Sequence, residues 1–574
     1  MQRVFKIADN ILSPLGRTTE QNYQAVKSGR CSLSRYEHHW DMPEPFCASL
    51  FSADDGKALA IDGLTRFESL VVRSVRQALE GINIDVSNRR VIFLLSTTKA
   101  NVGLLSSVTN APGVLYPGES ARRISAALGI ATPPIVVCNA CISGLSALIL
   151  GYRLLGTGQY DHAIVCGADE LSKFVVSGFQ SLKALSDQPC KPFDMERTGL
   201  NLGEAAATMV LSTHCPEKGP IWEISRASIH NDAYHISAPS KRGDGAHLCL
   251  TEVTEGIALE DIAFINAHGT ATLFNDQMES VAIERAGLGC KPVNALKGYF
   301  GHTLGAAGVL ETLLSMCSID DRTLLGTRGF EELGVSGKIE VISRNEPIHQ
   351  QRFIKMISGF GGCNAALLAS SVEEERAISE GGISMSDEVQ SAHHVRISPS
   401  GVSIDHQDLP IEHHGKELLT MLYKECVGDY PKFYKMDMLS RLGFIAAELL
   451  VREERKAEER DDPQRAIVMF NHSSSIHVDR QYQETIRGKE NYYPSPSLFI
   501  YTLPNIVTGE IAIRHHYQGE TSFYTLSERD QHLMGQVVTA TFRATQATSM
   551  MTGWLDYEDD EHFLAEMEIL MKTH

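Results

Sequence analysis

The sequence predicts an α/β protein of two or more domains. Apolar runs of strand length alternate with longer helical patterns, and 574 residues exceed what one ordinary core serves. Val91-Ile92-Phe93-Leu94-Leu95 is predicted as a buried strand, Ile135-Val136-Val137 as a second and Ala163-Ile164-Val165-Cys166-Gly167-Ala168 as a third. Between the last two, residues 144–155 are apolar nearly all round, as in a helix enclosed within a sandwich. Cys141 therefore falls where a strand turns into a buried helix.

Composition excludes several roles. With 52 basic and 71 acidic residues the net charge is −19, which repels nucleic acid and anionic membrane. The N-terminus lacks a signal-peptide apolar core and no run is long enough to span a bilayer, so the chain reads as soluble and cytoplasmic. Twelve cysteines between Cys31 and Cys426 are too sparse for a disulfide framework and fit reduced thiols. Histidine pairs recur at 38–39, 393–394, 413–414 and 515–516, but adjacent histidines diverge. None has a further His or Cys at the three- or four-residue spacing that zinc sites favour, so no metal is expected.

Three settings carry chemistry. Cys141 sits in Cys138-Asn139-Ala140-Cys141-Ile142-Ser143-Gly144 at a helix start, where unpaired N–H groups favour a thiolate and small neighbours leave room for a ligand; the alternative is a buried, inert cysteine, as Cys138 is expected to be. His268 follows the apolar strand 262–265 and precedes Gly269. His302 stands between Gly301 and a Gly-Ala-rich helix start, with Lys297 before it and Glu311 after it. Ser358-Gly359-Phe360-Gly361-Gly362 is either a plain tight turn or a backbone donor for an oxyanion, with the Phe360 ring as a movable door. Asp276 and Glu279 share a helical face and are expected to buttress the His268 loop.

These residues resemble the elongating β-ketoacyl-[acyl-carrier-protein] synthases, the Cys-His-His branch of the thiolase-like condensing enzymes. The resemblance runs from residues 10–16 through Lys191-Pro192-Phe193-Asp194, Arg197, Gly199 and Gly203-Glu204-Ala205 to the glycine turn at 359–362, about two thirds of the chain. Thiolases differ in carrying proline after the Gly-His pair, where Thr303 stands here; starter-type synthases have asparagine for one histidine. The resemblance implies a five-layer αβαβα sandwich, with residues 1–215 and 216–372 as its two halves. It implies decarboxylative Claisen condensation: Cys141 stores the acyl group, His268 and His302 hold the enolate, and the N–H groups of Cys141 and Phe360 form the oxyanion hole. Lys297 would support the site through Glu311, and Thr270 and Thr272 would contact the phosphopantetheine arm. Ile142 and Ser358 depart from the family's usual residues and are expected, with Gly361, at the substrate pocket. No tightly bound cofactor is implied, since the phosphopantetheine arrives on an acyl carrier protein. Lys191 is the docking candidate for that carrier, with Arg122 and Arg123 behind it; a homodimer, or a heterodimer with another condensing-enzyme subunit, is implied as well.

The remainder is not a standard synthase. A charged, glycine-containing linker is expected at 373–395 and a separate unit at 396–574. Leu439-Ser440-Arg441 leading to Arg465 echoes Leu64-Thr65-Arg66 leading to Arg90, both arginine pairs being 24 apart, and Leu503-Pro504 with Ile511 echoes Tyr116-Pro117 with Ile124. The unit resembles a degenerate half-synthase of chain-length-factor type, with 519–524 in place of the cysteine elbow and a structural role. A coincidentally similar α/β domain is the alternative. Two other functions stay open: a catalytically silent carrier-binding partner, and an acyltransferase without decarboxylation.

Overall fold

The computed structural model describes residues 1–107, 112–372, 389–410, 413–456, 462–488 and 492–572. It is an α/β structure built from one five-stranded motif used three times. In the first unit the strands are β1 (Phe5–Leu12), β2 (Val91–Ser96), β3 (Ile135–Val137), β4 (His162–Asp169) and β5 (Ala205–Ser212). They lie in the order β3-β2-β4-β5-β1, the first three parallel and the last two joined by antiparallel pairing. The second unit has β6 (Ile221–Asn231), β7 (Ile262–Asn266), β8 (Pro292–Asn294), β9 (Arg352–Ser358) and β10 (Cys363–Val372) in the equivalent order β8-β7-β9-β10-β6. The third has β11 (Val389–Ser398), β12 (Ala466–Asn471), β13 (Thr521–Thr525), β14 (Ser549–Tyr557) and β15 (Phe563–Lys572) in the order β13-β12-β14-β15-β11. Strands buried on both faces explain the unbroken apolar runs seen in the sequence.

Two helices form the middle layer of the first two units: α1 (Ser143–Gly156), as expected from residues 144–155, and α2 (Ala307–Asp320). Both are buried in one apolar cluster that also takes in both sheets. Their N-termini touch. A Cβ on Gly308 would lie 2.2 Å from Leu145 N, and one on Gly144 2.7 Å from the Gly305 carbonyl, so glycine at both positions lets the Cys141 and His302 loops approach.

The third unit is the expected half-copy, and it is fused edge to edge with the first. β13 pairs antiparallel with β3, Tyr524 opposite Val137 and Thr525 opposite Val136, so the first and third sheets are continuous. Side chains seal the seam: buried Arg153 of α1 donates to Glu520 at 2.9 Å, and Asn139 accepts from the Phe523 N–H at 2.9 Å.

Three sequence expectations need adjustment. The linker motif at 373–382 lies outside the described residues, but β11 already begins at Val389, so ordered structure of the third unit starts within the stretch expected to be linker. Residues 519–524 do not replace the elbow; they run into and along β13, and the turn corresponding to the elbow is 526–530, which has no cysteine. The arginine echo reflects element starts and not shared contacts. Arg66 pairs with Glu204 and Arg90 with Asp161, whereas Arg465 pairs with Glu454 and Arg441 donates to the Tyr434 carbonyl.

Candidate active site

β3 ends at Val137, and the chain turns sharply before α1. Ala140 takes φ 47°, a left-handed conformation unusual for a residue with a side chain, and this strained elbow presents Cys141 at the start of α1. Ser143 pins the turn, donating to the Ala140 carbonyl at 2.6 Å and accepting from the Asn139 N–H at 2.8 Å. His268 follows β7 and His302 follows the short helix Lys297–Phe300. The thiol and one ring nitrogen from each histidine lie within 4.8 Å of one another, and the rings meet edge to face at 5.0 Å between centroids.

The electrostatics correct one expectation. The helix start does not make Cys141 a resting thiolate: burial pushes its thiol up to about 12, with Lys297 only partly opposing. Burial, aided by the charges of Lys297 and Lys355, holds both imidazoles well below the ordinary 6.5, so both are neutral at pH 7. Buried His302 Nε2 has no hydrogen-bond partner among the described residues, while its Nδ1 faces the Leu304 N–H at 3.3 Å.

A layer of buried charge positions the loops. Lys297 Nζ donates to the His268 carbonyl at 2.6 Å and to Glu311 at 2.7 Å, which matches the expected ion pair. Lys355 of β9, which the sequence reading missed, meets the other Glu311 oxygen and donates to Asn266 at 2.7 Å; burial lowers its pKa to about 8. Its signal was present: one lysine inside the apolar run 353–357, next to the glycine turn. Asp276 and Glu279 buttress the loop as expected. Glu279 accepts from the His268 and Gly269 N–H groups at 2.7 Å each, and Asp276 from Thr270 at 3.0 Å and Phe193 at 2.7 Å. Asp169 at the end of β4, also missed, accepts from Gly305 at 2.7 Å and Thr97 at 2.7 Å, tying the His302 loop to the first unit.

A cavity of about 400 Å³ opens onto the site. Cys141, His268, His302, Thr270, Thr272, Ser358 and Phe360 line it. A second cavity of about 20 Å³ shares Cys141, Phe179 and Phe360 with the first, and the Phe179 and Phe360 rings stack between them at 6.2 Å. A Cβ on Gly359 would sit 3.3 Å from Cys141 N, which puts the Phe360 turn against the thiol's own backbone. Two expected pocket residues lie elsewhere. Ile142 is buried in the main core beneath Gly359 and lines neither cavity; Gly361, at φ 90°, faces the third unit, where a Cβ would lie 2.7 Å from Asn505 Nδ2. Lys191 is half-buried and spans 2.7 Å to Glu196, and Arg122 and Arg123 pair with Glu119 and Glu68. Exposed Leu273 and Phe274, with Lys183, are at the mouth itself.

Two repeated sheets enclosing a buried Cys-His-His cluster, the first extended by a third copy, define a thiolase-like condensing enzyme. Residues 1–215 match the N-terminal domain of beta-ketoacyl synthases and residues 222–331 their C-terminal domain, together more than half of the chain. The chain belongs to the β-ketoacyl synthase family. It is 27% identical over 409 residues to the 3-oxoacyl-[acyl-carrier-protein] synthase 2 of Vibrio cholerae, covering 64% of this chain and 98% of that protein. It is 31% identical over 270 residues to the enzyme of that name from Rhizobium meliloti, covering 43% and 63%. Among solved structures, a ketosynthase in complex with its chain length factor from Xenorhabdus doucetiae matches with TM-score 0.56 at 25% identity, over 65% of this chain and 98% of that one. The PfaC keto synthase–chain length factor structure matches all of this chain and 78% of its own at TM-score 0.78 and 13% identity, a likeness of fold that extends through the third unit.

Proposed function

We propose that this chain is a β-ketoacyl-[acyl-carrier-protein] synthase that condenses malonyl carrier with an acyl carrier through an acyl-Cys141 intermediate. The observation that carries it is the meeting of one thiol and two neutral imidazoles within 4.8 Å, in the lining of a cavity of about 400 Å³. Sulfur attacks the incoming thioester carbonyl, the oxyanion is held by the Cys141 and Phe360 N–H groups, and the carrier leaves as its thiol. The thiol proton departs with it, so a resting neutral thiol keeps the balance. Malonyl carrier follows, its arm against Thr270 and Thr272. Its carboxylate leaves as carbon dioxide and the enolate oxygen accepts hydrogen bonds from His268 and His302, which as neutral groups donate without a charge to desolvate. The carbanion attacks acyl-Cys141, the C–C bond forms, the C–S bond breaks, and the sulfur takes up one proton. Lys297, Lys355 and Glu311 position the histidine loops and do not touch the reacting atoms.

The relatives named for acyl-carrier-protein substrates support a carrier partner. The mouth supports it too, with exposed apolar Leu273 and Phe274 beside Lys183; Lys191 is a weaker docking residue because Glu196 engages its charge. The pathway is fatty acid or specialised polyene or polyketide synthesis. The third unit takes the place of a chain-length-factor half, without a nucleophile of its own. Among the described residues no helix is long and apolar enough to cross a membrane, and a cytoplasmic location accords with twelve free cysteines. A panel of acyl and malonyl carriers tests the activity: carbon dioxide release with formation of β-ketoacyl carrier supports it, whereas product without carbon dioxide release identifies a simple acyltransferase.

A further inference from the structure

The Phe360 turn is held by two units. Within the second unit, the Gly359 N–H donates to the Cys363 carbonyl at 2.9 Å, the Gly361 N–H to the Ile236 carbonyl at 2.7 Å, and Asn231 Nδ2 to the Gly361 carbonyl at 2.8 Å. The Phe360 carbonyl is met from the third unit, where Asn505 Nδ2 donates to it at 2.8 Å. The Cys363 thiol, a weak donor, also reaches that carbonyl at 3.3 Å. With the Phe360 carbonyl held by Asn505 and the next N–H held by Ile236, the peptide between Phe360 and Gly361 keeps one orientation.

Asn505 opens a helix, α3 (Ile506–His515), and so stands where an asparagine side chain ordinarily accepts from the first N–H groups of its own helix. It makes no such bond. The buried side chain reaches Phe360 instead, with a longer contact of 3.8 Å to Cys363 Sγ, and its Oδ1 has no partner among the described residues. Forgoing the cap and burying an unmet acceptor costs stability; what the amide gains is its hold on the Phe360 carbonyl. Gly509, one turn along α3, permits the approach, since a Cβ there would lie 2.6 Å from the Gly361 carbonyl oxygen. The two echoing units differ at this point. Gly118 follows Pro117 as Asn505 follows Pro504, and Gly118 packs against the backbone of Leu526, at the turn without a cysteine. The amide is present in the copy that faces the catalytic turn and absent from the other.

We propose that Asn505 is a positioning residue for the oxyanion hole: through it the third unit holds the Phe360 N–H toward the carbonyl that Cys141 attacks, without touching the reacting atoms. This rests on the acyl-Cys141 reading above.

The test compares two partial reactions of the full chain. Acylation of Cys141 by an acyl carrier, followed by intact mass, uses the oxyanion hole. Decarboxylation of malonyl carrier in a Cys141→Ala background, followed as carbon dioxide, uses the histidines. Asn505→Leu removes the donor and keeps the branched shape. The expected result is acylation slower by about 10–100-fold, part of what loss of a whole oxyanion donor costs, with decarboxylation changed less than about twofold. The ratio of the two rates is the readout, because a loosened site or a smaller folded fraction lowers both alike. Equal losses in the two reactions overturn the proposal, as does acylation at the wild-type rate. If Asn505→Leu does not fold, the smaller Asn505→Ala is held to the same ratio. Wild-type Cys141 that no acyl carrier labels instead overturns the acyl-enzyme reading, and the positioning role with it.

Discussion

Burial decides the protonation of the catalytic residues. The thiol pushed up to about 12 and the imidazoles held well below 6.5 mean that no member of the trio is charged at rest. Decarboxylation of malonyl carrier by Cys141→Ala, which isolates the histidines, should therefore stay flat from pH 8 to pH 6; a loss with its midpoint near 6.5 would contradict neutral, desolvated imidazoles. In the proposed mechanism each histidine donates to the enolate, so His268→Ala or His302→Ala should cost about 10²–10³-fold in that rate while carrier binding persists. The same shifts bear on stability. Below 6.5 the unfolded chain binds imidazole protons that the folded chain refuses, so this contribution is complete above 6.5 and is lost progressively as pH falls below it toward the much lower folded values. Denaturation midpoints at pH 7.5 and 5.5 measure it, and His302→Asn should shrink the difference. Cys141, His268 and His302 were legible because each stands among small residues in an ordered motif. The neutral resting thiol was only half legible: the sequence offers both a helix start and burial at Cys141, and only the assembled layers show that burial outweighs the helix start.

At the scale of elements, the site depends on two helix starts that touch. Gly308→Ala would place a Cβ 2.2 Å from Leu145 N, so α1 and α2 must part and the Cys141–His302 spacing must grow. The expected result is a loss of about 1–3 kcal/mol in denaturant titration, together with condensation falling more than carrier binding. Below them, Glu311 neutralises Lys297 and Lys355 together. Glu311→Ala leaves two buried ammonium groups with one carboxylate fewer and should cost about 3–5 kcal/mol. Strand and helix placement was legible from apolar runs such as 91–95 and 144–155. The second lysine was missed because one charged residue in a strand run is usually taken as a solvated edge, and only the assembled layers show Lys355 meeting Glu311.

The whole molecule is three copies of one sheet motif, of which two make the catalytic sandwich and the third extends the sheet that carries the nucleophile. Because β3 and β13 share backbone hydrogen bonds, the first and third units should unfold in one transition, and Arg153→Met, which strands Glu520 in the seam, should lower that single midpoint by about 3–5 kcal/mol. Two separate transitions would contradict a continuous sheet. The extra half-copy was legible in the arginine and proline spacing, but its register was not: the sequence echo tracks where elements begin, and edge pairing between β3 and β13 is a backbone contact with no side-chain signature. The most direct test of the catalytic reading is intact-mass analysis of the full chain mixed with an acyl carrier and then with malonyl carrier, following carbon dioxide. An acyl adduct located on Cys141, discharged by malonyl carrier with one carbon dioxide released per β-ketoacyl carrier formed, is expected. An adduct elsewhere, or none with any acyl carrier, would contradict it.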